Sequence, residues 1–94
     1  MTSEQLRAAR AMLRWEQKTL AETSKVSLAT IKRIEGRTGP IDANQTTVFA
    51  LRHALETAGV EFIPENGGGA GVRLRKGSAS AAIPVEQLSA ENDE

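Results

Sequence analysis

Residues 17–35 read QKTLAETSKVSLATIKRIE: two short amphipathic helical patterns separated by about four residues. This spacing constrains the fold more than any other feature, because helices joined by so tight a turn at SKV must cross and bury a shared face. The second helix of the chain, Gln17 to Ser24, turns Leu20 and Ala21 inward, and Ala21 is small where the crossing needs it. The third runs from about Ser27, an N-cap residue, to Glu35, with Val26, Ile31 and Ile34 filling the space below. Ser27, Leu28, Ala29, Lys32 and Arg33 are left on the outer face and leading end. Side chains near that end are mostly short, so the backbone can approach another surface, and Lys32 and Arg33 add positive charge one turn further on. A helix narrow at its tip and basic on its flanks suits entry into a DNA major groove.

Ahead of this unit, residues 3–14 predict another helix. Thr2 or Ser3 caps it, Thr2 with Gln5 fits a capping box, and Leu6, Ala9, Met12 and Leu13 recur at helical spacing. Arg7, Arg10 and Arg14 fall on the other side, and Trp15, the only tryptophan, wedges the junction with the next helix. After the third helix GRTGPID breaks the pattern. A longer helix follows over about 43–58, with Val48, Leu51 and Leu55 as its apolar seam and Gly59 at its C-cap. The period then changes. VEFI and VRLR, at 60–63 and 72–75, read as the strands of a hairpin around the glycine-rich PENGGGAG. Val60 and Phe62 share a face with Val72 and Leu74, and Glu61 can face Arg73 or Arg75. A lone hairpin is marginal in water. It must cover the helical core, pair with a second subunit, or touch DNA backbone through Arg73, Arg75 and Lys76.

The expected architecture is mainly α. A compact four- to five-helix helix-turn-helix domain occupies 1–59, a C-terminal β-hairpin 60–76, and a disordered acidic tail 77–94. At 94 residues and 39% hydrophobic, the chain holds one small core that dimerisation would enlarge. With no cysteine, disulfides and thiolate metal sites are excluded. No apolar run approaches the roughly 18 residues of a membrane span, so no membrane association is expected, and the expected location is the cytoplasm, on the nucleoid when bound to DNA. Net charge is zero but segregated. All twelve Lys and Arg lie in residues 1–76 with eight acids, a balance of +4, while 77–94 carry Glu86, Glu91, Asp93 and Glu94 and no base, a balance of −4. A basic body with an acidic tail is one pattern of nucleic-acid binders, and of solvated surfaces too.

QKTLAETSKVSLATIKRIEGR resembles the helix-turn-helix of Cro-type phage repressors and of bacterial regulators of the xenobiotic-response-element (XRE) group. The matching elements are Gln17, Leu20-Ala21, Val26-Ser27, Ile31, Ile34 and Glu35, and the likeness covers roughly residues 3–58. It implies a small helical bundle, sequence-specific binding of double-stranded DNA and a homodimer on a palindromic operator. By position, Gln17 with Lys18 would meet phosphate at the start of the second helix. Ser27, Leu28, Ala29, Lys32 and Arg33 would face base edges or flanking backbone, and Arg37 would meet phosphate. Arg33 suits guanine O6 and N7; Leu28 and Ala29 can read only a thymine methyl or shape. The family usually has glycine where this chain has Lys25, which implies a lysine strained by about a kcal/mol or more at positive φ.

Other signals are weaker. His53 stands alone, without the partners of a triad or a metal site, so the chain is read as non-enzymatic and without cofactor. GGGAG is followed by neither a Lys-Ser/Thr pair nor a helix, so it is a turn and not a phosphate loop. The hairpin residues Val60, Phe62, Val72 and Leu74 are the expected dimerisation surface. AIPVEQL, an apolar island in the acidic tail, supports a rival reading. In it the chain is a protein-interaction module, such as an antitoxin or anti-activator, working through the hairpin or tail.

Overall fold

Helix α1 (Ser3–Leu13) begins on a complete capping box: the Gln5 amide donates to Thr2 Oγ1 at 3.0 Å and the Thr2 amide to Gln5 Oε1 at 2.9 Å. The structure, a computed structural model, describes residues 1–76, and the expected acidic tail at 77–94 lies outside the described residues. Helices α2 (Gln17–Ser24), α3 (Leu28–Glu35) and α4 (Gln45–Thr57) follow, then strands β1 (Val60–Ile63) and β2 (Gly71–Leu74). Ser27 Oγ caps α3 through the Thr30 amide, and Asn44 Oδ1 caps α4 through the Thr47 amide. The fold is mainly helical with a C-terminal antiparallel hairpin, at the lower end of the expected helix count.

Every element except β2 contributes a buried apolar residue to one core: Leu6 and Ala9, Leu20, Ile31 and Ile34, Leu51, Ala54 and Leu55, Val60 and Phe62. Each fully buried branched side chain among them contributes about 1.5–3 kcal/mol. Trp15, Ala21 and Val26 pack on its margin, as their positions predict. Helix α1 is turned slightly from the expected orientation. Met12 is 40% exposed, whereas Arg10 lies within the buried arc that Ser3, Leu6 and Ala9 define.

The hairpin packs on α1 through both strands and on α4 through β1. Its register pairs Val60 with Leu74, Glu61 with Arg73, Phe62 with Val72 and Ile63 with Gly71. Buried Gln5 fastens its turn end, with Nε2 donating to the carbonyls of Ile63 at 3.1 Å and Gly71 at 2.8 Å. At the other end the Arg75 amide donates to Gly59 O at 2.7 Å, and its Nη1 donates to Glu56 O at the C-terminus of α4. The Arg73 guanidinium clasps the Glu61 carboxylate at 3.0 and 3.2 Å.

Candidate nucleic-acid interface

Lys25 ends α2 in the left-handed region at φ 66, with its amide donating to Ala21 O at 2.9 Å. That conformation turns the chain sharply, and Val26 N–H finds Ser24 Oγ at 3.2 Å. Ser27 then does two jobs at once. Its hydroxyl oxygen accepts from the Thr30 amide and its proton goes to Thr30 Oγ1 at 2.8 Å. Lys25 thus holds the expected positive φ, and Ser27 the expected cap.

The inner face of α3 is closed by Ile31, Ile34 and the Glu35 carboxylate, whose side chain is 4% exposed. Arg10 of α1 grips that carboxylate with both prongs, Nε to Oε2 at 2.8 Å and Nη2 to Oε1 at 2.7 Å. Gln17 of α2 donates a third bond, Nε2 to Oε1 at 2.9 Å. Arg10 also donates from Nη1 to Trp15 O, the junction between α1 and α2. The hydrogen bonds that Arg10 donates to Glu35 raise its pKa against the opposing effect of partial burial. The C-terminal carbonyls of α3 are capped from α1 as well: Ser3 Oγ donates to Ile34 O at 2.8 Å and Arg7 Nη1 to Glu35 O at 2.6 Å. Two helices, α1 and α2, therefore converge on the end of α3 and fix its direction.

Outward from this mount stand Ala29, Lys32 and Arg33, all exposed, flanked by half-buried Leu28 and Thr30. Lys18 on α2 and Lys25 in the turn are exposed too, and among the described residues neither they nor Lys32 forms an ion pair. Arg33 leans on the following loop, Nη1 to Asp42 O at 3.2 Å. Arg37 sits 3.8 Å from the Asp42 carboxylate, with both side chains well exposed, a contact worth little in water. The loop carrying Arg37 is latched to the start of α1 through Ser3 N–H to Gly39 O at 2.9 Å and Gly39 N–H to Glu4 Oε1 at 3.0 Å. Glu4's own backbone amide first, and then that of Gly39, lower the pKa of the Glu4 carboxyl.

Two expected roles change. Gln17, expected on phosphate, turns its side chain inward to Glu35, because a buried carboxylate with a spare lone pair outcompetes solvent for its amide. The N-cap of α2, Glu16, makes no side-chain cap, so it leaves the first backbone N–H groups of the helix without a side-chain acceptor of its own. Val60 and Phe62, expected at a dimer surface, belong to the subunit's own core at 0% and 8% exposure; Val72 packs on that core and Leu74 is 47% exposed. An alternating strand shows which face is buried, but not against what.

The Arg10–Glu35–Gln17 brace and the Ser3 and Arg7 caps are absent from the sequence reading. The available signal was Arg10 at positions +4 from Leu6 and +7 from Ser3, in the buried stripe and not opposite it. Among the described residues no helix is long and apolar enough to cross a membrane, and no cluster of three or more His, Cys, Asp or Glu could hold a metal ion. No protein-family model matches the chain, and no curated protein matches it either.

Proposed function

We propose that the protein is a sequence-specific double-stranded DNA-binding transcriptional regulator that inserts α3 into the major groove. The observation that carries this reading is the contrast between the two faces of α3: an inner face sealed by Ile31, Ile34 and Glu35, and an outer face of Ala29, Lys32 and Arg33 open to solvent. Rigid mounting suits base readout, which needs donors held in register with base edges. The likeness of residues 17–36 to Cro-type and XRE-group regulators supports the same assignment. In this reading Arg33 leaves Asp42 O for a guanine edge, Lys18, Lys32 and Arg37 take phosphates, and the α2 N-terminus takes a phosphate on its backbone. The regulator is a homodimer on a palindromic operator, with the edge of β2 at Leu74 as the part of the hairpin left to meet a partner.

Selection of bound duplexes from a random pool tests this reading directly. A recovered palindrome with half-sites about one helical turn apart is the expected result. Arg33→Ala should relax one base position at a cost of about 1–3 kcal/mol, whereas Lys18→Ala should weaken all duplexes alike and flatten the salt dependence. A folded Lys32→Ala, Arg33→Ala double variant that still discriminates among sites would sink the assignment.

A further inference from the structure

The glycine-rich loop between the two strands carries chemistry that the fold itself does not need. Of the three asparagines, Asn44, Asn66 and Asn92, only Asn66 is followed by glycine. Gly67 has no side chain to hinder approach to its amide nitrogen, and the position a Cβ would take there is open space. Two side chains engage three backbone amides of this loop. Gly67 N–H and Gly69 N–H both donate to Glu65 Oε2 at 3.1 Å, and Gly68 N–H donates to Asn66 Oδ1 at 3.4 Å. The last bond folds the asparagine side chain back along its own main chain, toward the Gly67 amide. Gly67 and Gly69 hold φ 99 and 94, a conformation that suits glycine alone. Glu65 and Asn66 are both exposed, so water reaches all of these groups. Asn44, by contrast, spends Oδ1 on the Thr47 amide and precedes Gln45.

We propose that Asn66 is a site of self-modification, at which its side-chain amide becomes a carboxylate by way of a cyclic imide with Gly67. The Gly67 nitrogen attacks Asn66 Cγ, and its proton passes to the Glu65 carboxylate that already accepts it. The carbonyl π electrons move onto Oδ1, where the Gly68 N–H meets the developing negative charge. Collapse of this tetrahedral centre breaks the Cγ–Nδ2 bond, and Nδ2 takes the proton from Glu65 and leaves as ammonia. Water then opens the five-membered ring at either carbonyl carbon. One opening gives aspartate; the other gives isoaspartate, whose main chain runs through Cβ and Cγ. Nothing is oxidised or reduced: one water enters and one ammonia leaves. An unstructured Asn-Gly pair reacts at the rate its sequence sets, whereas here a base and an oxyanion donor are already placed on the two groups that need them. The flanking strands are fastened separately, by Gln5 to Ile63 O and Gly71 O, so the tip can change while the fold stands. The product sets a second carboxylate beside that of Glu65 and makes a chain of zero net charge negative. None of this depends on what α3 binds.

Mass spectrometry of the full chain, incubated near neutral pH, follows the exchange of NH2 for OH, and fragmentation locates it. The folded chain should convert at Asn66 about ten-fold faster than the same chain held unfolded in urea; an enclosed general base supplies about 10²–10⁴-fold, and Glu65 works in water. Glu65→Gln keeps an oxygen that can accept from the Gly67 and Gly69 amides but cannot take a proton, so it should bring the folded rate down to the unfolded one. In urea Glu65→Gln and the parent should convert alike, because the base is placed only by the folded loop. Far-UV circular dichroism of Glu65→Gln should match that of the parent, since these bonds lie outside the helices. Asn66→Gln, whose longer side chain would have to close a six-membered ring, should stay unmodified at that position. A folded rate no higher than the unfolded one, a folded Glu65→Gln as fast as the parent, or conversion confined to Asn44 or Asn92 overturns the assignment.

Discussion

Lys25 and Arg14 are the two non-glycine residues of the described chain with positive φ, at 66 and 57. Each ends a helix, and each holds its Cβ close to a carbonyl in a conformation that costs an L-residue about 1–2 kcal/mol. Lys25→Gly should therefore stabilise the fold by about 1 kcal/mol, raising Tm by about 4–8 °C in a domain of this size, and Arg14→Gly should act alike. Thermal melts of both against Lys25→Ala, which keeps the strain, isolate the backbone contribution. Lys25 was legible in the sequence as a departure from a resembled pattern, whereas Arg14 was not, because a helix can end in this way without a residue that advertises it. Glu61 offers a second residue-scale expectation. Its carboxyl pKa lies below the ordinary 4.5, first through the hydrogen bond from Arg73 and then through that residue's charge. A carboxyl with a lowered folded-state pKa stabilises the fold fully above its unfolded pKa and loses that contribution as pH falls through the folded value. Glu61→Gln should thus be less stable than the parent near pH 6 and equal to it near pH 2, both read from urea midpoints about those values.

At the scale of elements, the presentation of α3 depends on a carboxylate 25 residues away in sequence from the guanidinium that holds it. Removing one partner of a buried pair leaves the other charged and unmatched, which costs about 3–5 kcal/mol. Glu35→Ala should cost that much in urea denaturation, because Arg10 and Gln17 both lose their acceptor. Arg10→Met with Glu35→Leu should cost much less, since an apolar pair of similar volume needs no partner. A double variant as unstable as Glu35→Ala would mean that the pair's hydrogen bonds, not its unmatched remainder, hold the helices together. Helix spans were read well from sequence: α2 and α3 came from period and caps, and α4 differs from its expected bounds by about two residues because Asn44 is the cap. The mount was not. A glutamate at a helix end reads as solvated, and nothing local distinguishes one that a distant arginine will bury.

For the whole molecule, the hairpin decides whether one subunit is a finished fold. Sequence alternation separated its faces correctly, and the Glu61–Arg73 pairing was among those expected. What covers the apolar face was not legible, because Gln5 reaches the strand carbonyls across 58 and 66 residues and leaves no local trace. With Val60 and Phe62 inside the subunit, substitutions there should test folding, and substitutions at Leu74 should test assembly. Phe62→Ala removes a core ring that also lies under the Arg52 guanidinium, 5.7 Å away. Its expected cost is about 3–5 kcal/mol, a large share of a total that is about 5–15 kcal/mol for any domain. Leu74→Lys, on an exposed strand position, should change monomer stability by no more than about 0.5 kcal/mol. Sedimentation equilibrium then separates the two roles. If β2 joins two subunits, Leu74→Lys should yield a folded monomer that binds half-sites weakly, since two like charges would meet across the two-fold axis. A Leu74→Lys chain that remains dimeric would move the interface off the hairpin, toward another exposed apolar surface such as Phe49 on α4, which is 68% exposed and stacked on His53.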